Sequence, residues 1–384
     1  MINITDYSNC CGCTACASIC SHNAITMTEN SLGFLYPKID SARCVDCGLC
    51  DKVCQFHANY LRYDNFANPE AYQFRLKCDN QLQKSQSGGA FYSIAYHFIA
   101  LGGVVYGAAF TSEWKVSHQR VLTLEGLEKL RMSKYVQSDL RGVFEQIKKD
   151  LKNDFKVLFS GTACQVAGLK SYLPKKLHQN LICIDIICHG VPSPKIWDNY
   201  LSYLQKKNNS KIIKACFRDK RFGWHGATES FLFANGKKEF RHTNNYLYFS
   251  GLSMRESCSK CYYTSIERVG DITIGDQWGI PKDSKYEDGK GMSVVFLNSV
   301  KGKLLFEKSL TEQSICEAVS LSDCMQPQLQ YPATLHRNYR QFITDYNNKG
   351  FLYVAKRYGG MGWRYKKMQI FESIKKYIKL VLRK

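Results

Sequence analysis

The chain has 384 residues, 45% of them apolar, with 18 cysteines and a formal net charge of +20. That length predicts two or three domains, and the apolar share is that of a globular protein with a sizeable core. Met1 to Tyr7 has neither a basic nor an apolar leader region, so no secretory signal is expected, and a chain this rich in thiols fits a reducing cytoplasm.

Residues 1–60 read as one Cys-rich unit. Cys10, Cys13, Cys16 and Cys20 follow C-x2-C-x2-C-x3-C, and Cys44, Cys47, Cys50 and Cys54 repeat it 34 residues later. This run resembles that of bacterial ferredoxins with two [4Fe–4S] clusters. In such a run three thiolates face one cluster and the fourth points to the other. The expected sets are therefore Cys10, Cys13, Cys16 and Cys54 for one cluster, and Cys20, Cys44, Cys47 and Cys50 for the second. Cys11 is read as a spare thiol. Zinc or a disulfide framework is the competing reading, but neither needs a third and fourth cysteine at these offsets, twice over. Ser21 and Gln55 stand where the ferredoxin run has proline.

Residues 61–86 are polar and read as a linker, with one strand at Ala71–Leu76. Gly88 to Phe110 is 23 residues without a formal charge. It is long enough for a membrane span, but Gly102-Gly103 and its polar residues favour a buried helix at Ala90–Leu101 and a strand at Val104–Phe110. The pattern continues with a helix at Asp139–Leu151, a strand at Lys156–Phe159, a helix at Cys164–Leu173, a strand at Leu181–Cys188 and a helix at Pro194–Lys206. Strands are expected at Ile212–Phe217, Asp271–Ile274 and Ser293–Leu297. The alternation predicts an α/β domain over 87–345. No G-x-G-x-x-G follows a strand, so a Rossmann dinucleotide site is not expected.

Residues 346–384 read as a basic tail. Ala355 to Lys384 holds ten Lys/Arg and one acidic residue. Ile370, Phe371, Ile374, Tyr377, Ile378, Val381 and Leu382 share one face, which predicts a basic amphipathic helix. It suits an anionic membrane surface, making peripheral contact with the inner face of a membrane one expectation, or it docks on the body. No nucleic-acid partner is expected, because no recognised binding motif accompanies the charge.

Three segments of the expected α/β domain carry chemistry. Ser160-Gly161-Thr162-Ala163-Cys164-Gln165 follows a strand and enters a helix, an arrangement that suits an anion or a thiolate. Cys188-His189-Gly190 ends a strand, where open α/β sheets place ligands. Cys258-x2-Cys261 precedes Gly275-Asp276-Gln277-Trp278-Gly279. Together with Ser87-Gly88-Gly89 and the loop Ser133 to Ser138, these segments resemble the family of coenzyme F420 hydrogenase/dehydrogenase beta subunits, over roughly residues 85–345. Ala163 stands where that family usually has proline.

The resemblance implies a ferredoxin-like α+β domain joined to a larger α/β flavoprotein domain. It implies a non-Rossmann FAD site, fed by [4Fe–4S] clusters, that exchanges hydride with a small organic substrate. Electrons would come from a redox donor protein or partner subunit, and a role in polysaccharide biosynthesis is one setting. The rivals are oxidation of reduced coenzyme F420 and a non-catalytic electron-relay subunit. Cys164, Cys188, Cys258 and Cys261 form a candidate third cluster set, the alternative being buried structural thiols. Ser87, Gly88, Gly89, Lys134, Tyr135, Gln137, Ser138, Ser160, Gly161, Thr162 and Gln165 are the candidate flavin contacts. Lys134 would stabilise the reduced flavin if it stands near the ring. Asp276 and Trp278 are candidate walls of the substrate pocket. His189 is a candidate proton donor or, equally, a structural histidine.

Overall fold

The computed structural model describes residues 2, 4–57, 65–281 and 283–362. The expected amphipathic helix of the tail falls beyond residue 362, outside the described residues. In chain order the strands are β1 (Ile25–Glu29), β2 (Leu35–Ile39), β3 (Glu70–Leu76), β4 (Val104–Phe110), β5 (Val116–Val121), β6 (Val157–Thr162), β7 (Leu181–Ile186), β8 (Ile212–Cys216), β9 (Glu229–Phe233), β10 (Lys238–Arg241), β11 (Ile272–Asp276), β12 (Ser293–Leu297) and β13 (Ser314–Val319).

The N-terminal unit is ferredoxin-like. Hairpin β1–β2 pairs antiparallel, and the short helices Ala15–Ile19 and Leu49–Lys52 lie within the two cysteine runs and carry Cys16 and Cys50. The larger body is built on an eight-stranded mixed sheet, ordered β13-β3-β12-β11-β7-β6-β4-β5. Its centre is parallel: β4 pairs with β6, β6 with β7, and β7 with β11. Strands covered on both faces must be apolar on both, and β6 and β7 begin Val-Leu-Phe and Leu-Ile-Cys-Ile. Val157, Phe159 and Cys183 pack on the helices Val143–Lys152 and Ala163–Tyr172. Leu158 and Ile184 pack on Ala90–Ala100 and Val300–Ser309 on the other face. Each such side chain contributes about 1.5–3 kcal/mol when fully buried.

Three expectations are corrected. Residues 65–86 are not a linker: β3 lies inside the large sheet, between β12 and β13. The strand expected at Ile212–Phe217 forms in a separate antiparallel sheet, β8–β9–β10, rather than in the α/β sheet. This sheet packs on the helix Pro194–Asn208 through Trp197, Tyr200, Phe231 and Phe233. The boundary drawn at 345/346 falls inside the helix Tyr339–Arg357, whose Phe342, Tyr346, Phe351 and Val354 join the same core. The apolar side of that helix outweighs the basic composition that had marked the segment as tail. Gly88–Phe110 is a buried helix, a turn and a strand, and among the described residues no helix is long and apolar enough to cross a membrane.

Gly88 is needed for packing. A Cβ there would stand 2.0 Å from the Phe74 carbonyl oxygen and 2.6 Å from the Ser293 nitrogen, both backbone atoms that cannot rotate away. Gly88→Ala is therefore expected to cost at least the about 1–3 kcal/mol of ordinary overpacking, read as a lower urea midpoint. An unchanged midpoint would contradict this close approach.

Candidate electron-transfer and cofactor site

The two cysteine runs repeat in backbone as well as in sequence. Two positions after the first cysteine of each run, Gly12 and Asp46 are left-handed, with φ of 70° and 49°. Four positions after it, Thr14 and Gly48 are left-handed as well, with φ of 68° and 70°. Alternating hands turn successive N–H groups inward and form concavities that suit anions such as Fe–S clusters. Cys10, Cys13, Cys16 and Cys54 come together around the first concavity, close enough for each charge to act on its neighbours. Cys20, Cys44, Cys47 and Cys50 line the second, which opens at the surface beside exposed Val45 and Leu49. Sulfurs in both sets accept backbone N–H groups or lie beside cationic donors; in the second, Ala24 N–H donates to Cys20 at 3.3 Å and Ile2 N–H to Cys50 at 3.4 Å. Such bonds are a common feature around cluster sulfurs. Among the described residues no three His, Cys, Asp or Glu side chains are gathered as around a single metal ion. A zinc ion would hold its sulfurs at about 2.3 Å from one centre, whereas thiolates round a cubane each bind a separate iron and stand wider apart.

The structure also brings Cys164, Cys188, Cys258 and Cys261 together. Sheet order explains how. β6 and β7 are adjacent, so Cys164 and Cys188 emerge at neighbouring carboxyl ends, and the segment before β11 delivers Cys258 and Cys261. Gly190 has φ of +137°, and a Cβ on it would stand 2.3 Å from Met254 Sδ and 3.2 Å from Cys258 Cβ, so only glycine lets these loops close. Gly190 N–H donates to Cys188 Sγ at 3.3 Å, Val191 N–H to Cys258 Sγ at 3.4 Å and Tyr263 N–H to Cys261 Sγ at 3.4 Å. Burial pushes the Cys258 and Cys261 thiols up to about 12 and about 11, so binding iron there must release protons. The segment after Cys261 is tied down by Arg268, which pairs with buried Asp185 on β7 at 3.0 Å and donates to Tyr263 O at 2.5 Å.

Between the first and third thiol sets lies Cys11. It is buried against Cys13 and Cys164, so it is no idle neighbour of Cys10. Gln55, at the proline position of the run, donates to Cys164 O at 2.7 Å and to Cys11 Sγ at 3.3 Å, and accepts from Tyr263 Oη. A proline could make none of these bonds. The departure from the ferredoxin pattern therefore fastens the small domain to the large one.

A cavity of about 910 Å³ opens at the carboxyl ends of the parallel strands. Ser87, Gly89, Lys134, Tyr135, Ser138, Ser160, Gly161, Thr162, Gln165, Cys188 and His189 line it. Cys188 therefore belongs both to the third thiol set and to the cavity wall. Lys134 donates to Arg131 O at 2.6 Å. It lines the cavity, yet burial pushes its ammonium down to about 7. Gln328 Nε2 donates to His189 Nδ1 at 3.1 Å, which assigns the proton of the neutral ring to Nε2, and burial lowers the His189 pKa. His118 joins Ser138 Oγ (2.7 Å) to Ser160 O (2.9 Å) and is pushed down to about 4 by burial, so it stays neutral. Asp276 lines the cavity too, paired with Arg218 at 2.7 Å, and Trp278, 39% exposed, stacks on Trp224 at 5.2 Å. Both amide atoms of Gln86, another lining residue, are buried without a hydrogen-bond partner, as expected of a side chain that meets a ligand.

Two candidate flavin contacts lie elsewhere. Gly88 is not part of the cavity wall, being held against β3 and β12. Gln137 points toward the ferredoxin domain, donating to Cys11 O at 2.8 Å and accepting from Arg255 at 2.9 Å. At Thr162 the helix N-terminus spends one N–H on Gln165 Oε1, at 2.9 Å, which leaves less for an anion. Sequence reasoning missed His118, Gln86 and Arg255. The one available signal was the position of Arg255, three residues before Cys258.

The ferredoxin-type unit joined to a mixed α/β body with thiols at its strand ends defines an iron–sulfur redox protein. Residues 9–58 match the 4Fe-4S dicluster domain. Residues 154–322 match the family described as the C terminus of the coenzyme F420 hydrogenase/dehydrogenase beta subunit. Over those residues the chain is similar to the beta subunits of those enzymes. It is also similar to a chain of the F420-reducing [NiFe] hydrogenase complex from Methanosarcina barkeri, at 16% identity and a TM-score of 0.47, over 78% of this chain and 95% of that one. No curated protein matches it.

Proposed function

We propose that the chain is an iron–sulfur flavoprotein oxidoreductase acting on a small organic substrate. The observation that carries this reading is the order of the sites. Thiol sets lead from the surface (Cys47) through the buried first set to Cys164 and Cys188, and Cys188 is already part of the cavity wall. When bound, clusters supply single electrons, and a flavin pairs two of them for hydride transfer. Cys10, Cys13, Cys16 and Cys54 would hold one cluster, Cys20, Cys44, Cys47 and Cys50 the second, and Cys164, Cys188, Cys258 and Cys261 a third. The cavity is of a size for a cofactor. Ser87, Gly89, Lys134, Tyr135 and Ser138 would hold FAD from one side, and the turn Ser160 to Gln165 from the other. Lys134 would hold its proton beside an anionic reduced flavin. His189 presents Nε2–H to the substrate, and Trp278 and Asp276 wall its entrance.

Protein purified without oxygen is expected to carry about twelve irons, four per cubane, together with about one releasable FAD per chain. A brown protein without flavin would sink the flavoprotein reading. Reduction of a substrate only after a partner protein is added would favour the relay reading.

A further inference from the structure

Arg255 is fully buried, and no carboxylate pairs with it among the described residues. Its Nε donates to Cys10 O at 2.7 Å, and its terminal nitrogens donate to Gln137 Oε1 at 2.9 Å and Leu35 O at 2.8 Å. One of those nitrogens also lies 3.6 Å from Cys10 Sγ. The guanidinium stands over the Tyr36 ring at 4.2 Å and the Phe34 ring at 5.3 Å. The acidic groups that act on it most are Cys10, Tyr36, Cys11 and Cys258, thiols and a phenol, while Glu256 acts on it by charge without a direct ion pair. Burying a cation without a counter-charge is strongly unfavourable. Such a residue persists only if an anion completes the site, and the sulfur nearest to it is a candidate cluster ligand.

Cluster potentials follow net charge, hydrogen bonds to sulfur and solvent exposure. The two ferredoxin sites differ in exposure and in the fixed cation beside one of them. The second opens to the surface and has Cys47 exposed. The first is buried, which by itself disfavours adding an electron to a cluster that is already negative. An electron stepping inward would then go uphill. A fixed cation 3.6 Å from a ligand sulfur opposes that penalty.

We propose that Arg255 is the built-in counter-cation of the cluster held by Cys10, Cys13, Cys16 and Cys54, raising its reduction potential so that electrons entering at the exposed cluster settle next to the third thiol set. This rests on the iron–sulfur reading above. Arg255 is a positioning residue that touches a ligand and not the substrate. Its own backbone carbonyl accepts Cys258 N–H at 3.1 Å, so one residue borders both the ferredoxin and the third set.

The test is an anaerobic redox titration followed by electron paramagnetic resonance on the full chain and on Arg255→Met, Arg255→Lys and Gln137→Glu, with iron counted in each. Gln137→Glu keeps the guanidinium and sets a carboxylate against it, so the charge is neutralised even if Arg255→Met folds poorly. In Arg255→Met and Gln137→Glu the reduced-to-oxidised ratio of one ferredoxin cluster, at fixed potential, is expected to fall about tenfold, which is about 59 mV for one electron. Arg255→Lys is expected to keep most of the parental potential, and the other cluster to stay put. Parental potentials in Gln137→Glu with full iron would overturn the counter-cation role alone. A parent chain without iron would overturn the iron–sulfur reading as well.

Discussion

Cys258→Ser, purified without oxygen, is expected to hold about eight irons per chain where the parent holds about twelve, counting four per cubane. The ferredoxin sets are untouched by the change, because Cys258 lies in the segment between the helix Thr243–Phe249 and β11. What is lost is the third set, where Cys258 faces Cys164, Cys188 and Cys261 and receives Val191 N–H. Serine is a harder, weaker ligand for iron than thiolate. Since Cys188 is the thiol that lines the cavity, the same variant should bind flavin but reduce it slowly from a one-electron donor. Iron counts equal to the parent's would show that these four thiols do not share a cluster.

Arg268→Ala is expected to destabilise the large domain by about 3–5 kcal/mol, the usual cost of breaking a buried ion pair from one side. Asp185 is wholly buried and satisfies Gly270 N–H at 2.8 Å and Thr273 Oγ1 at 2.7 Å besides Arg268. Without the guanidinium its charge loses its cation, while Tyr263 O and Ile186 O lose their donor. The arm carrying Cys258 and Cys261 is held at its downstream end by this network. Urea unfolding is the first measurement and iron content the second: both the midpoint and the third-set iron should fall. A midpoint within error of the parent's would mean that the network contributes little.

Much of this was legible in the chain itself. The cysteine runs set their own geometry, because left-handed turns at Gly12, Thr14, Asp46 and Gly48 depend on near neighbours. The apolar runs of β6 and β7 announced a covered sheet, and Gly102-Gly103 announced the turn between helix and strand. Gln137 falls outside the cavity because a motif locates a segment but not the direction in which its side chain points, and Gly88 because its backbone is pressed between β3 and β12. The strand at Ala71–Leu76 is legible as β3, but its place in the large sheet is not, because a short strand between polar stretches has no partner until β12 and β13 are folded.

The sequence by itself determined the iron–sulfur chemistry of residues 9–58 and the kinship of 154–322, since both are written in spacings of a few residues. Only the tertiary structure decided that Cys11 and Gln55 sit between two thiol sets, and that Arg255 reaches back to Cys10 across 245 positions. Such contacts follow from strand order and from the docking of one domain on another. Those are settled by the packing of whole faces, a quantity that no local spacing encodes.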